Sequence, residues 1–174
     1  MLKYFTYDEY VEDIFQIDLE GLYEAGKRLI LTDLDNTLVG SDVPVPTLEV
    51  LAWLKRAKEI GFVVKIASNN NAKRVRVFAE DLDIEAYGLV YKPFLYKVKQ
   101  YMAGYHKSEV IFMGDQLLTD IAVARRGGLY TILVQPVNMS ADEEITKFNR
   151  KIERLIVKGL KKRGMPIPPY LNQV

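Results

Sequence analysis

The sequence predicts an α/β domain: an open, mostly parallel, five-stranded sheet in three layers, followed by a C-terminal amphipathic helix. Three observations carry this. Short apolar runs alternate with segments of helical periodicity five times between Arg28 and Val134. The runs RLILTDL and VIFM lack the in–out alternation of a half-exposed strand, as expected where helices cover both faces. Every run but the last ends in polar residues, and an open parallel sheet binds its ligands beyond the carboxyl ends of its strands.

The elements follow in order. The first 25 residues are aromatic and acidic and read as a docking strand or short helices leading into the first core strand, which starts at Arg28. Thr47 opens an amphipathic helix, with Val50, Leu51 and Leu54 at helical spacing and Gly61 as the stop. Phe62 to Ser68 is the second strand. Ala72 to Leu82 places Val75, Phe78, Ala79 and Leu82 on one helical face, and Tyr87 to Val90 is the third strand. Lys92-Pro93 breaks the chain; a helix over 95–103, a strand over Val110 to Met113, a helix over Leu118 to Arg126 and a strand over Tyr130 to Val134 complete the alternation. Ser140-Ala141-Asp142-Glu143 then has a capping-box pattern, and Ile145, Phe148, Ile152, Leu155, Ile156 and Leu160 share one face of the helix that follows. The whole reads as a single domain over 1–174, with its core at about 26–136, an extension over 1–25 and a helix and tail over 140–174.

Composition removes much familiar chemistry. There is no cysteine, hence no disulfide, thiolate metal site or cysteine nucleophile, and a lone histidine, His106, leaves no His-based triad; His106 reads as a surface or capping residue. Twenty-four Lys+Arg against 23 Asp+Glu give a net charge of +1 and no global field for nucleic acid. No apolar run approaches the roughly 18 residues of a spanning helix, and MLKYFTYDEYVED lacks the marks of a signal peptide. A cytoplasmic protein is expected.

The strand ends carry the chemistry. They read Asp33-Leu34-Asp35-Asn36-Thr37, Ser68-Asn69-Asn70, Lys92-Pro93 and GDQLLTD over Gly114 to Asp120. Carboxylates gathered at one sheet edge repel one another unless a cation joins them, and oxygen ligands suit Mg²⁺. A lysine and a hydroxyl opposite suit an anion. Together these parts fit phosphoryl transfer, in which a carboxylate attacks phosphorus while Mg²⁺ and a lysine neutralise the phosphate.

DLDNT, Ser68, Lys92 and GDQLLTD, in this order, resemble the four motifs of the haloacid dehalogenase (HAD) superfamily, which has a Rossmann-like fold. YVEDIFQIDLEGLYEAG, LTDLDNTLVG, ASNN, YKP and GDQLLTDIAVARRGG resemble more closely its subfamily IIIA, YqeG-type phosphatases, relatives of phosphatidylglycerophosphate phosphatases. The resemblance implies that Asp33 is the nucleophile that becomes an aspartyl phosphate and Asp35 the general acid and base. It implies phosphate contacts from Thr37, Ser68, Asn69 and Lys92. Mg²⁺ would lie on Asp33, Asp115 and the Asp35 carbonyl, with Asp120 supporting it through water or outer contacts.

Members of this superfamily usually carry a substrate-selecting cap domain inserted after the first or second motif. Here 30 residues separate Thr37 from Ser68 and 23 separate Ser68 from Lys92, room for one helix and one strand each, so the chain reads as capless. An open site implies a large or lipid phosphate such as phosphatidylglycerophosphate, or a homo-oligomer whose second copy supplies a lid for sugar phosphates or nucleotides. Basic residues of the final helix, among them Lys147, Arg150, Lys151, Arg154 and Lys158, offer peripheral membrane contact through 142–163; packing on the chain's own domain is the alternative. A non-catalytic module docking RNA or a GTPase through Lys73, Arg74, Arg76, Arg125 and Arg126 is the reading from another class, although no nucleic-acid partner is expected.

Overall fold

The computed structural model describes residues 2–142 and 144–172. Its strands are β1 (Glu9–Val11), β2 (Leu29–Thr32), β3 (Val63–Ala67), β4 (Glu85–Tyr87), β5 (Val110–Gly114) and β6 (Tyr130–Val134). The helices are α1 (Leu19–Glu24), α2 (Leu48–Ile60), α3 (Ala72–Ala79), α4 (Leu95–Tyr101), α5 (Ala122–Gly127) and α6 (Glu144–Lys161). The six strands pair in parallel throughout, in the order β1-β6-β5-β2-β3-β4. The sheet therefore has one strand more than the sequence predicts. β1 is the addition: three residues of the N-terminal flank pair with β6, too few to show any period of their own. β4 also lies earlier than expected, because Gly88 to Val90 form the loop beyond it.

Alternation along β2 explains the layers. Ile30 packs with residues of α1, α2 and α3, whereas Leu29 and Leu31 pack on the opposite face with α4 and α5. Leu133 of β6 lies in a third cluster with Ile156, Val157 and Leu160 of α6, Phe5 and Tyr170. α6 thus packs on the domain. Its buried stripe matches the predicted one in part: Ile156 and Leu160 face inward as expected, with Ile152 packed alongside, but Arg150, Glu153 and Val157 join them, and Ile145, Phe148 and Leu155 face outward. The capping box falls partly on Glu143, which lies outside the described residues.

Helix ends follow local chemistry. Thr47 Oγ1 accepts the Val50 N–H at the start of α2, and Gly61 ends it at φ 117°, a conformation that costs glycine little. His106 caps the turn at Lys107–Glu109, where Glu109 in return accepts the His106 N–H. Among the described residues no helix is long and apolar enough to cross a membrane.

β2 lies between β3 and β5, where the sheet switches from building one way to building the other. Ligands bind at such a switch point. Thr32 is level with both Ile66 and Met113, so Asp33, Ser68 and Asp115 leave the sheet at the same edge. Only α2 stands between β2 and β3 and only α3 between β3 and β4, so no inserted domain covers that edge.

Candidate active site

A cavity of about 150 Å³ opens at this edge, walled by Asp33, Asp35, Asn36, Ser68, Asn69 and Lys92, with Ile145, Thr146 and Asn149 of α6 along one side. Thr37 is buried but does not line it, and its hydroxyl has no hydrogen-bond partner. Lys92 Nζ lies 2.7 Å from Asp33 Oδ1 and 2.6 Å from Asp120 Oδ1. Burial alone would depress the ammonium, but Asp120 and Asp33 together raise its pKa, so the lysine stays charged. Asn69 holds the lysine's backbone: its side-chain NH₂ donates to the Lys92 carbonyl and its oxygen accepts the Lys92 N–H. That side chain positions the Lys92 backbone while lining the cavity. Ser68 Oγ accepts the Asn70 N–H at the cavity wall.

Asp33, Asp115 and Asp120 each place one oxygen within 4.8 Å of the others. Burial pushes the Asp120 carboxyl up to about 6 against the pull of Lys92, and raises Asp115 well above its ordinary value against the pull of Arg150. Asp115 Oδ1 is buried without a hydrogen-bond partner. An orphaned acceptor among crowded carboxylates fits a hard divalent cation such as Mg²⁺, which would satisfy the first and relieve the second. The Asp120 carboxylate, expected to support the metal through water or outer contacts, lies in this cluster. Gly114 makes room for it: a Cβ there would stand 2.4 Å from Asp120 Cγ.

Three supports were not legible as such in the sequence. Arg74 of α3 donates to Asp35 Oδ1 from Nε and Nη2, at 3.2 and 2.9 Å, and Asn70 donates to Asp35 Oδ2 at 3.0 Å. Even so, burial leaves the Asp35 carboxyl above its ordinary pKa. Arg150 of α6 reaches Asp115 Oδ2 at 2.7 Å and Asp142 Oδ2 at 2.6 Å, and Asp142 Oδ1 accepts from Asn36 at 2.5 Å. Glu153 accepts the Leu118 N–H within the π turn Leu117–Ile121, which carries Asp120. Arg74 and Arg150 therefore do not belong to open basic surfaces, and Arg125 is paired with Asp8 at 3.0 Å.

The HAD-hydrolase-like family model matches residues 91–162. The chain is 42% identical over 172 residues to "Probable phosphatase YqeG" of Bacillus subtilis (strain 168), spanning 93% of this chain and 95% of that protein. The chain belongs to the YqeG-type HAD phosphatases. It is also 27% identical over 169 residues to "Phosphatidylglycerophosphate phosphatase 1, chloroplastic/mitochondrial" of Arabidopsis thaliana, covering 89% of this chain but 48% of that protein. Among solved structures, a hypothetical protein of Xanthomonas campestris superposes with a TM-score of 0.53 at 17% identity, over 78% of this chain and 77% of that one. That likeness speaks to the fold alone.

Proposed function

We propose that the chain hydrolyses a phosphomonoester with Mg²⁺ through an aspartyl phosphate on Asp33, and that its substrate is a lipid phosphate of the phosphatidylglycerophosphate type. The observation that carries the chemistry is the Asp33 carboxylate in the wall of an open cavity, 2.7 Å from a charged, buried Lys92, with Asp35 in the same wall. Asp33 attacks phosphorus, and the leaving alcohol oxygen takes a proton from Asp35. Asp35 then takes a proton from water as that water attacks the phosphoenzyme, releasing phosphate and restoring Asp33. The raised pKa of Asp35 suits both steps, and Arg74 with Asn70 hold its orientation. Mg²⁺, held by Asp33 and Asp115 with Asp120 and the Asp35 carbonyl alongside, would neutralise the phosphate oxygens.

The lipid assignment is supported by the name of the Arabidopsis relative and by the absence of an inserted cap over the edge. Its test is Mg²⁺-dependent phosphate release from phosphatidylglycerophosphate in mixed micelles, sugar phosphates, nucleotides and phosphopeptides, with Asp33→Asn as the blank. Preference for the lipid is expected. Preference for a soluble metabolite would overturn the lipid assignment, and full activity in Asp33→Asn would overturn the mechanism.

A further inference from the structure

The carboxyl edge of the sheet carries exposed apolar side chains beside the cavity. Leu89, Tyr91, Phe94 and Tyr96 come from the segment beyond β4, and Ile145 and Phe148 from the first turns of α6. Phe94, Tyr96, Ile145 and Phe148 each leave 60–73% of their surface to solvent. Isolated exposed apolar residues need no explanation, but six of them on two segments that each contribute to the cavity wall, through Lys92 and through Ile145, do. The grouping is built in. Leu89 N–H donates to the Asn70 carbonyl and Val90 N–H to that of Ser68, which ties the segment to the cavity wall, and Phe94 N–H donates to the Tyr91 carbonyl. Ile145 itself lines the cavity, and Phe148 lies one turn farther along the same helix.

We propose that this rim docks onto an anionic lipid bilayer; the inference rests on the lipid-phosphate reading and names the surface from which the substrate is taken. At about 150 Å³ the cavity is well below the roughly 300 Å³ at which drug-sized ligand sites begin, so it admits a phosphate and part of a headgroup. Acyl chains must then leave past the rim. Tyrosine and phenylalanine around the exit match the headgroup boundary, where a ring is half in hydrocarbon and half wet. The charge is complementary as well. Lys97 bonds the Leu89 carbonyl at 2.6 Å and lies over the Tyr91 ring, Lys151 stands one turn beyond Phe148, and Lys73 follows Ala72, whose backbone packs against Gly88. These cations favour an anionic surface and disfavour a second copy bearing the same cations. The contact differs from one made by 142–163 alone, because the inner stripe of that helix is buried and the segment beyond β4 supplies four of the six apolar residues.

The experiment uses unilamellar vesicles of phosphatidylcholine alone or mixed with phosphatidylglycerol, which contain no phosphomonoester to hydrolyse. The wild-type chain is expected to co-sediment with the mixed vesicles, to leave them in high salt, and to bind phosphatidylcholine alone weakly. The triple variant Phe94→Ser, Tyr96→Ser, Phe148→Ser should lose at least tenfold in vesicle affinity while keeping its melting temperature and its turnover of p-nitrophenyl phosphate, since none of the three touches the reacting groups. Equal binding by variant and wild type, or no binding by wild type, would overturn the proposal; so would a wild-type dimer that the triple variant abolishes without any vesicle binding. A short-chain phosphatidylglycerophosphate below its micelle concentration separates the two readings. Its turnover without vesicle binding keeps the lipid substrate and removes the docking surface, whereas vesicle binding without its turnover does the reverse.

Discussion

Arg150→Met tests whether the last helix is part of the active site. Arg150 is buried and its guanidinium joins two buried carboxylates, Asp115 at 2.7 Å and Asp142 at 2.6 Å. Methionine keeps much of the stem's packing but leaves Asp115 without a counter-charge and Asp142 with only its bond from Asn36. Removing one partner of a buried ion pair costs about 3–5 kcal/mol, against about 0–1 for an exposed one. In a chain of this size that corresponds to a fall of roughly 6–20 °C in melting temperature. Lysine has one ammonium where arginine has a rigid fork, so Arg150→Lys should recover only part of the loss. Urea unfolding in EDTA measures the stability term. A second readout follows from orientation: Arg150 holds Asp115 Oδ2, and Oδ1, which has no hydrogen-bond partner, is left for the Mg²⁺ of the proposed mechanism. Loss of a side chain that orients a metal ligand typically weakens the site about 10- to 100-fold, seen as a higher Mg²⁺ concentration for half-maximal thermal stabilisation. A loss under about 1 kcal/mol with unchanged Mg²⁺ response would refute the reasoning and return α6 to the role of a packing element.

Asp35→Asn should slow turnover steeply for alkyl phosphates, whose leaving oxygen needs a proton, and far less for p-nitrophenyl phosphate; equal losses on both would remove Asp35 as the acid. Gly114→Ala should keep the fold yet weaken Mg²⁺ binding, because its Cβ would meet Asp120 Cγ at 2.4 Å; an unaltered Mg²⁺ titration would show that Asp120 can shift without consequence. Burial raises the Glu153 carboxyl from 4.5 to about 7, so folding takes up a proton between those values and the residue's contribution to stability falls as pH rises through that window. Glu153→Gln should therefore gain on the wild type by up to about 3 kcal/mol between pH 4.5 and pH 7, read from urea midpoints in EDTA; a pH-independent difference would place the burial cost elsewhere.

Local pattern was enough for what depends on local pattern. Leu29–Thr32 and Val110–Gly114 are buried along their length and are apolar runs in the sequence, and the residues just beyond β2, β3 and β5 supply Asp33, Ser68 and Asp115. The supports of the site depend on distance in space. Arg74 meets Asp35 across 39 positions, Arg150 meets Asp115 across 35 and Asn36 meets Asp142 across 106, and no short motif links such pairs. Reading α6 by hydrophobicity placed Ile152, Ile156 and Leu160 correctly but added Ile145, Phe148 and Leu155 to its inner face, because a buried Arg150 and Glu153 look costly until their partners are known. A signal was present: Arg150 and Glu153 lie on one stripe with Val157 and Leu160, which are apolar, at i, i+3, i+7 and i+10. Once Asp115, Asp142 and the Leu118 N–H demand that stripe, the helix must turn Ile145 and Phe148 outward beside the cavity. The same rotation that brings Arg150 to a carboxylate of the acidic cluster thus supplies two of the six rim residues, so the orientation of α6 links the inside of the site to the surface around it.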